Sequence, residues 1–209
     1  MQTPVIHCTT KLSTLLGVKT APLPSDPDAW NANLFAYNGR KCIILVHART
    51  SYCLLAFDVV KADLRDLRTF FHGSLVHQFT REWPMHTSQV ASWMDHMPPA
   101  IAAPSNNDRS TLGIINRYTQ ALQYVISRHN PPLGANAAFL EAWNLNDGII
   151  SSDSKAGKAS GEKWGYIPGE RMAAFVGIPF DRRDYSDRQC KALRAATSDD
   201  DGGWMSVVR

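Results

Sequence analysis

Apolar residues gather in short runs within the first sixty residues and recur at spacings of three and four from Leu64 onwards. Pro4 to Cys8 is a short apolar strand candidate. Thr9 or Thr10 caps a helix marked by Leu12, Leu15 and Leu16, which Gly17 closes. Lys19 to Ala29 carries Pro22, Pro24 and Pro27 and reads as an irregular surface loop. Three strands follow: Trp30 to Tyr37, Arg40 to Ala48 and Ser51 to Val59. Asn38-Gly39 predicts a two-residue hairpin turn, because a type I′ turn needs positive φ at both positions and Asn and Gly tolerate it best. The unbroken run Cys42-Ile43-Ile44-Leu45-Val46 puts the second of these strands in mid-sheet, covered on both faces.

The rhythm then turns helical. Leu64, Leu67, Phe71, Leu75 and Phe79 predict a helix from about Lys61 to Trp83, ended by Pro84. Val90, Trp93 and Met97 mark a short second helix stopped by Pro98-Pro99, and Ile101 to Asp108 reads as a loop. Leu112, Ile115, Tyr118, Leu122 and Val125 mark a third helix, from about Asp108 to Arg128, closed by Asn130-Pro131-Pro132. Ala137 to Leu145 is ambiguous: Ala and Leu favour helix, while Phe139, Trp143 and the turn Asn146-Asp147-Gly148 favour an additional strand, which is the reading taken. Ser151 to Lys163 reads as a linker, and Glu170 to Val176 as a short helix before Gly177-Ile178-Pro179-Phe180. The expected architecture is one α+β domain over residues 1–180, an antiparallel sheet of four or five strands packed on one face by about three helices. Residues 181–209, charged and ending near Asp199-Asp200-Asp201-Gly202-Gly203, are expected to be a partly disordered tail.

Composition narrows the function classes. With 44% hydrophobic residues the chain buries one substantial core. Its 22 basic and 19 acidic residues give a net charge of +3, without the concentrated basic face of an obligate nucleic-acid binder; direct nucleic-acid contact is only weakly supported. Cys8, Cys42, Cys53 and Cys190 show no CxxC spacing, and three of them lie in apolar runs, which points to buried thiols in a reducing cytoplasm. The start lacks a secretory signal pattern, and no stretch reaches the roughly 20 apolar residues of a membrane span. No cofactor motif is present.

Candidate chemistry is sparse. His7-Cys8-Thr9 and His86-Thr87-Ser88 form a pair of His-x-Thr/Ser motifs, the arrangement in which two imidazoles act as acid and base on a phosphate. The competing reading makes Thr87 or Ser88 a helix cap. A metal site drawing on His7, Cys8, His47, His77 and His86 lacks the close ligand pairs that zinc sites display. Cys8 cannot be activated by His7, because neighbours on a strand face opposite ways.

Binding features stand out more. Lys61, Arg65, Arg68 and His72 follow spacings of four, three and four, a basic stripe opposite Leu64, Leu67 and Phe71 that Asp63 and Asp66 dilute. Arg40 and Lys41 add charge beside the hairpin turn, with Asn31, Asn33, Trp30 and Tyr37 nearby; the competing reading makes Trp30 core and the asparagines turn or strand partners. Asp199 to Asp201 are phosphate mimics or simply solvated charge.

Six separated segments resemble one family: His7-Cys8-Thr9 with Lys11-Leu12; Trp30-x-Ala32-Asn33-Leu34; Arg40-Lys41; Arg109-Ser110; Leu145-Asn146-Asp147; and Met172 to Phe180 with Gly177-x-Pro179. Together they resemble an uncharacterised bacterial family whose members begin HCTxKL and carry WHANL on the second strand. Asn31 stands where that pattern has His, and His47 where relatives show a small polar residue. The resemblance implies a fold, with a sheet element near Ala137 to Leu145, and a bacterial or mobile-element origin; it implies no activity. The expectation is therefore a non-enzymatic protein that binds a protein or nucleoprotein complex through Arg40, Lys41, Lys61, Arg65 and Arg68, such as an inhibitor of a CRISPR effector. The rival is a phosphoesterase or nuclease using His7 and His86.

Overall fold

In the computed structural model, which describes residues 3–198 apart from 20, 22, 25, 38, 130–133 and 152–164, the strands are Val5–Cys8 (β1), Trp30–Tyr37 (β2), Arg40–His47 (β3), Cys53–Ala56 (β4) and Ile101–Pro104 (β5). The helices are Thr10–Leu16 (α1), Leu67–Glu82 (α2), Thr87–Asp95 (α3), Arg109–His129 (α4), Ala135–Asp147 (α5), Pro168–Val176 (α6) and Arg182–Ser198 (α7). The class is α+β. One five-stranded sheet runs in the order β4-β3-β2-β1-β5.

The hairpin forms where the Asn-Gly pair predicts it. Tyr37 pairs with Arg40 across two intervening residues, and Gly39 takes a φ of 73°, which a side chain would resist. β4 continues antiparallel on β3, but β1 lies parallel to β2 and β5 parallel to β1. The sheet is therefore mixed, not antiparallel throughout. Residues 9–29 supply α1 and a proline-rich loop, a connection long enough to bring the chain back in the same direction, which a tight turn cannot do. β5 falls in the segment expected as loop: its Ile-Ala-Ala-Pro sequence has no alternation, and pairing with β1 decides its state. Pro104, unable to donate to a ladder, sits at the end of this outer strand.

Helices cover both faces of the sheet, where packing on one face was expected. Ile6, Cys8, Trp30, Ala32, Ile43, Leu45 and Leu54 pack with Phe71, Leu75 and Phe79 of α2, Val90 and Met94 of α3 and Met172 of α6. The alternate positions Phe35, Cys42, Ile44, Val46, Cys53 and Leu55 pack with Ile115, Tyr118 and Leu122 of α4. β3 is buried on both sides, as its apolar run predicts.

Three segments differ from the sequence reading. Ala137 to Leu145 lies within α5, not a strand; Phe139, Leu140 and Trp143 enter the first core while Ala138 and Ala142 enter the second, a helical division of labour. α2 begins at Leu67, not Lys61, because the Asp66 carboxylate caps it, accepting from the backbone N–H of Arg68 and Thr69 at 3.1 Å each. The segment expected as a tail starts with α7, started by Asp181, whose carboxylate accepts from the N–H of Arg183 and Asp184, and docked by the buried Tyr185. The expected linker at 152–163, the Pro131-Pro132 stop and the acidic Asp199 to Asp201 lie outside the described residues.

One buried side chain links distant elements. Asn146 of α5 accepts from the Cys53 N–H at 2.7 Å, donates back to the Cys53 carbonyl at 3.1 Å, and donates to the Glu82 carboxyl of α2 at 3.3 Å. Its amide thus stands where a neighbouring strand would pair with β4. Asn146→Ala leaves the Cys53 N–H and C=O without partners in a dry site and takes one donor from Glu82, and urea unfolding is expected to show a loss of about 2–4 kcal/mol; a variant as stable as the parent would mean that the strand edge is satisfied in another way.

Candidate functional site

The basic residues are assembled by the way the chain leaves β4. Asp58 adopts a φ of 56°, the Val59 N–H donates to the Lys41 carbonyl at 2.7 Å, and Arg40 forms an ion pair with Asp58. These contacts stitch residues 57–60 onto the base of the β2–β3 hairpin. Lys61 and Arg65 consequently lie in the turns that follow, not on a helix, and Arg68 lies in the first turn of α2. The chain path leads Lys61 and Arg65 off the base of the hairpin that carries Arg40 and Lys41, an exposed basic corner, while Arg68, also exposed, lines a separate recess with His72 and Met97 to Ala100.

The aspartates that seemed to dilute this charge are occupied locally. Asp58 pairs with Arg40, Asp63 accepts from the Val60 N–H at 2.9 Å, and Asp66 caps α2. Hydrogen bonds from Thr69 hold the Asp66 carboxyl below the usual carboxylate range. Among the described residues, Lys41, Lys61 and Arg65 form no ion pair. Val60, 54% exposed, lies between the two halves of the corner.

The histidines separate. His7 alternates with the core residues Ile6 and Cys8, so it faces the α4 side of the sheet, whereas His86 stands half-buried at the start of α3 on the other side, its Nδ1 2.7 Å from the Gln89 amide oxygen. They line no common cleft. Cys8 faces away from His7, and burial pushes its thiol up to about 12, far from thiolate chemistry. His47 is buried between Trp30 and Phe175, and burial pushes its imidazole down to about 3. Among the described residues no three His, Cys, Asp or Glu side chains gather as metal ligands. Trp30 is packed on Phe71 and offers no stacking surface.

His7 does have a well-defined setting. Its Nδ1 lies 3.0 Å from the Pro104 carbonyl, which can only accept, so Nδ1 carries the hydrogen and Nε2 of the neutral ring is an acceptor. Asn31 is its register partner on β2, and both His7 Nε2 and Asn31 Nδ2 are buried with no hydrogen-bond partner among the described residues. Asn33, two residues on, accepts from the Thr9 hydroxyl at 3.0 Å. The pair can hold a group that donates to one and accepts from the other, as a water or hydroxyl does.

Sequence reasoning missed Glu82. It is fully buried at the end of α2, where its carboxyl accepts from the Gln78 amide, from Asn146, and from the Tyr185 hydroxyl at 2.7 Å. The signal was a polar pair, Gln78 and Glu82, on the same helical face as Phe71, Leu75 and Phe79. Burial pushes its carboxyl from 4.5 up to about 7, against hydrogen bonds that favour the charged form. Between these values the folded chain keeps a proton that the unfolded chain releases, so this contribution to stability is present at low pH and lost as pH rises through 7. His47 acts in the opposite sense: the unfolded chain takes up a proton below 6.5 that the folded chain refuses down to about 3. Glu82→Gln removes the Glu82 effect and leaves the His47 effect in place. Relative to the parent, the variant is expected to gain about 3 kcal/mol between pH 4.5 and pH 7 in urea unfolding; a constant difference across that range would contradict the assignment.

Among the described residues no helix is long and apolar enough to cross a membrane. No curated protein matches the chain. The profile of a domain of unknown function, DUF6933, matches residues 5–159, from β1 through α5 and beyond. That span takes in the sheet, the basic corner and the His7–Asn31 pair, in keeping with the resemblance to an uncharacterised family, and this chain belongs to the DUF6933 family.

Proposed function

We propose that the protein works by binding an acidic macromolecular partner, a protein or a nucleoprotein complex, through Arg40, Lys41, Lys61, Arg65 and Arg68. The observation that supports this reading is the stitching of residues 57–60 to the hairpin, after which the chain runs directly into Lys61, while the nearby aspartates serve local structure. Exposed charge of one sign steers association and fixes orientation, and it contributes more to rate and specificity than to raw affinity. In its narrowest form the reading is an inhibitor or adaptor of bacterial or mobile-element origin that acts on a host nucleoprotein defence complex, in the manner of an anti-CRISPR protein. It contains no catalytic step and no cofactor.

Affinity capture from the source cell at physiological salt tests the class, and the double reversal Lys61→Glu with Arg65→Glu tests the corner. The variant is expected to melt like the parent and to bind the captured partner at least about ten-fold more weakly, roughly 1.4 kcal/mol. Equal binding by parent and variant removes the corner from consideration. Hydrolysis of bis(p-nitrophenyl) phosphate that disappears in both His7→Gln and His86→Gln would favour the phosphoesterase instead.

A further inference from the structure

The outer edge of β4 is closed at one residue and open at the next two that face outward. In an antiparallel ladder alternate residues direct their backbone groups towards the neighbouring strand and away from it. The His47 N–H donates to the Tyr52 carbonyl at 2.9 Å, and Leu45 pairs with Leu54 and Ile43 with Ala56, so these residues face β3. Cys53, Leu55 and Phe57 therefore turn outward. Cys53 is met on both its N–H and its C=O by Asn146. The outward groups of Leu55 and Phe57 have no hydrogen-bond partner among the described residues.

A groove of about 310 Å³ lies directly over this stretch, with residues 54–57 along it and Gly73, Ser74 and His77 of α2 and Ala138 of α5 as further walls. The walls are small where they matter: Gly73 has nothing within 4 Å of where a Cβ would stand. α2 walls the recess on one side and Ala138 of α5 stands on the other. One end of the groove leads through Asp58 and Val59 to Lys61 and Arg65, and its wall residue Thr69 follows Arg68 directly. Unpaired strand groups thus lie beside the unopposed cations.

We propose that an extended segment of a partner protein adds to β4 as a sixth strand. Its backbone pairs with Leu55 and Phe57, its apolar side chains at alternate positions fill the groove, and its carboxylates beyond Phe57 meet Lys61 and Arg65. Strand addition takes affinity from main-chain hydrogen bonds and specificity from alternate side chains. This rests on the acidic-partner reading of the corner and names the partner as protein and its bound form as a strand.

The test uses the full chain and a phage-displayed library of random nonapeptides. The expected winners alternate apolar residues and carry Asp or Glu at one end. Once bound they slow amide exchange at Leu55 and Phe57 at least ten-fold and leave Cys53 unchanged. Methylating the peptide backbone N–H groups at alternate residues is expected to weaken binding at least ten-fold in one phase and not in the other. Gly73→Leu, which fills the groove and favours the helix, is expected to abolish binding without lowering the melting temperature. Failure to enrich any binder, winners that survive Gly73→Leu, unchanged exchange at Leu55 and Phe57, or weakening in both methylation phases overturns the proposal. So does a dimer joined along β4, or protection of Leu55 and Phe57 in the peptide-free protein by residues 199–209 of the same chain. Winners that bind the groove without acidic preference and tolerate Lys61→Glu with Arg65→Glu leave the strand addition standing and refute the corner. Loss of a captured acidic partner in that double variant, with no effect of Gly73→Leu, does the reverse.

Discussion

Glu82 is a carboxyl group with no exposed atom, and the arrangement of the helices around the sheet follows from satisfying it. An unpartnered carboxylate in such a site costs several kcal/mol, so the helix that carries it can settle only where donors converge. Gln78 comes from the same helix, Asn146 from α5 and Tyr185 from α7. Arg188 adds a hydrogen bond to the Glu82 backbone carbonyl, and Gln189 donates to the Asn144 side chain at 2.9 Å. Even α6 is shaped by this docking: a Cβ on Gly169 would lie 2.8 Å from the Tyr185 hydroxyl, so glycine is required for α6 and α7 to approach. Elements remote in sequence are thereby fixed to one face of the sheet and to the edge of β4.

Local chemistry was legible and tertiary choices were not. The Asn-Gly turn, the apolar run of β3 and the Gly17 closure of α1, with φ of 64°, are dictated by a few adjacent residues and form as expected. β5 is four residues of Ile, Ala and Pro whose strand state depends on the exposed flank of β1. In α5 the helical propensity of Ala and Leu prevails over two aromatic residues that a sheet would also accept, and those aromatics pack against α2 and α7. The charged composition of α7 concealed one buried tyrosine, Tyr185, among residues that mostly face solvent.

The candidate sites divide the same way. Each cation of the corner was visible as a residue type, yet its neighbours were set by a left-handed Asp58 that no periodicity announces. His7 invited pairing with His86, and strand alternation assigns them to opposite sides. Its actual neighbour, Asn31, lies on the adjacent strand, and among the described residues two polar atoms there are buried without a partner. A helical Glu in register with Phe71, Leu75 and Phe79 was readable, and it was overlooked because charge normally marks the solvated side.

The parallel pairing of β1 has a consequence for biosynthesis. β1 leaves the ribosome before the other strands of this sheet, and β5, its neighbour on one side, follows it by roughly 90 residues. At about 5–20 residues per second the interval is on the order of 5–20 s. The β2–β3–β4 meander, built from adjacent segments, can close within that time, while β1 waits with one row of backbone groups bare. Its sequence, Val-Ile-His-Cys, is apolar and short, and four residues offer little length for a stray strand to pair along. The brevity of β1 and β5 thus limits the hazard that their late union creates.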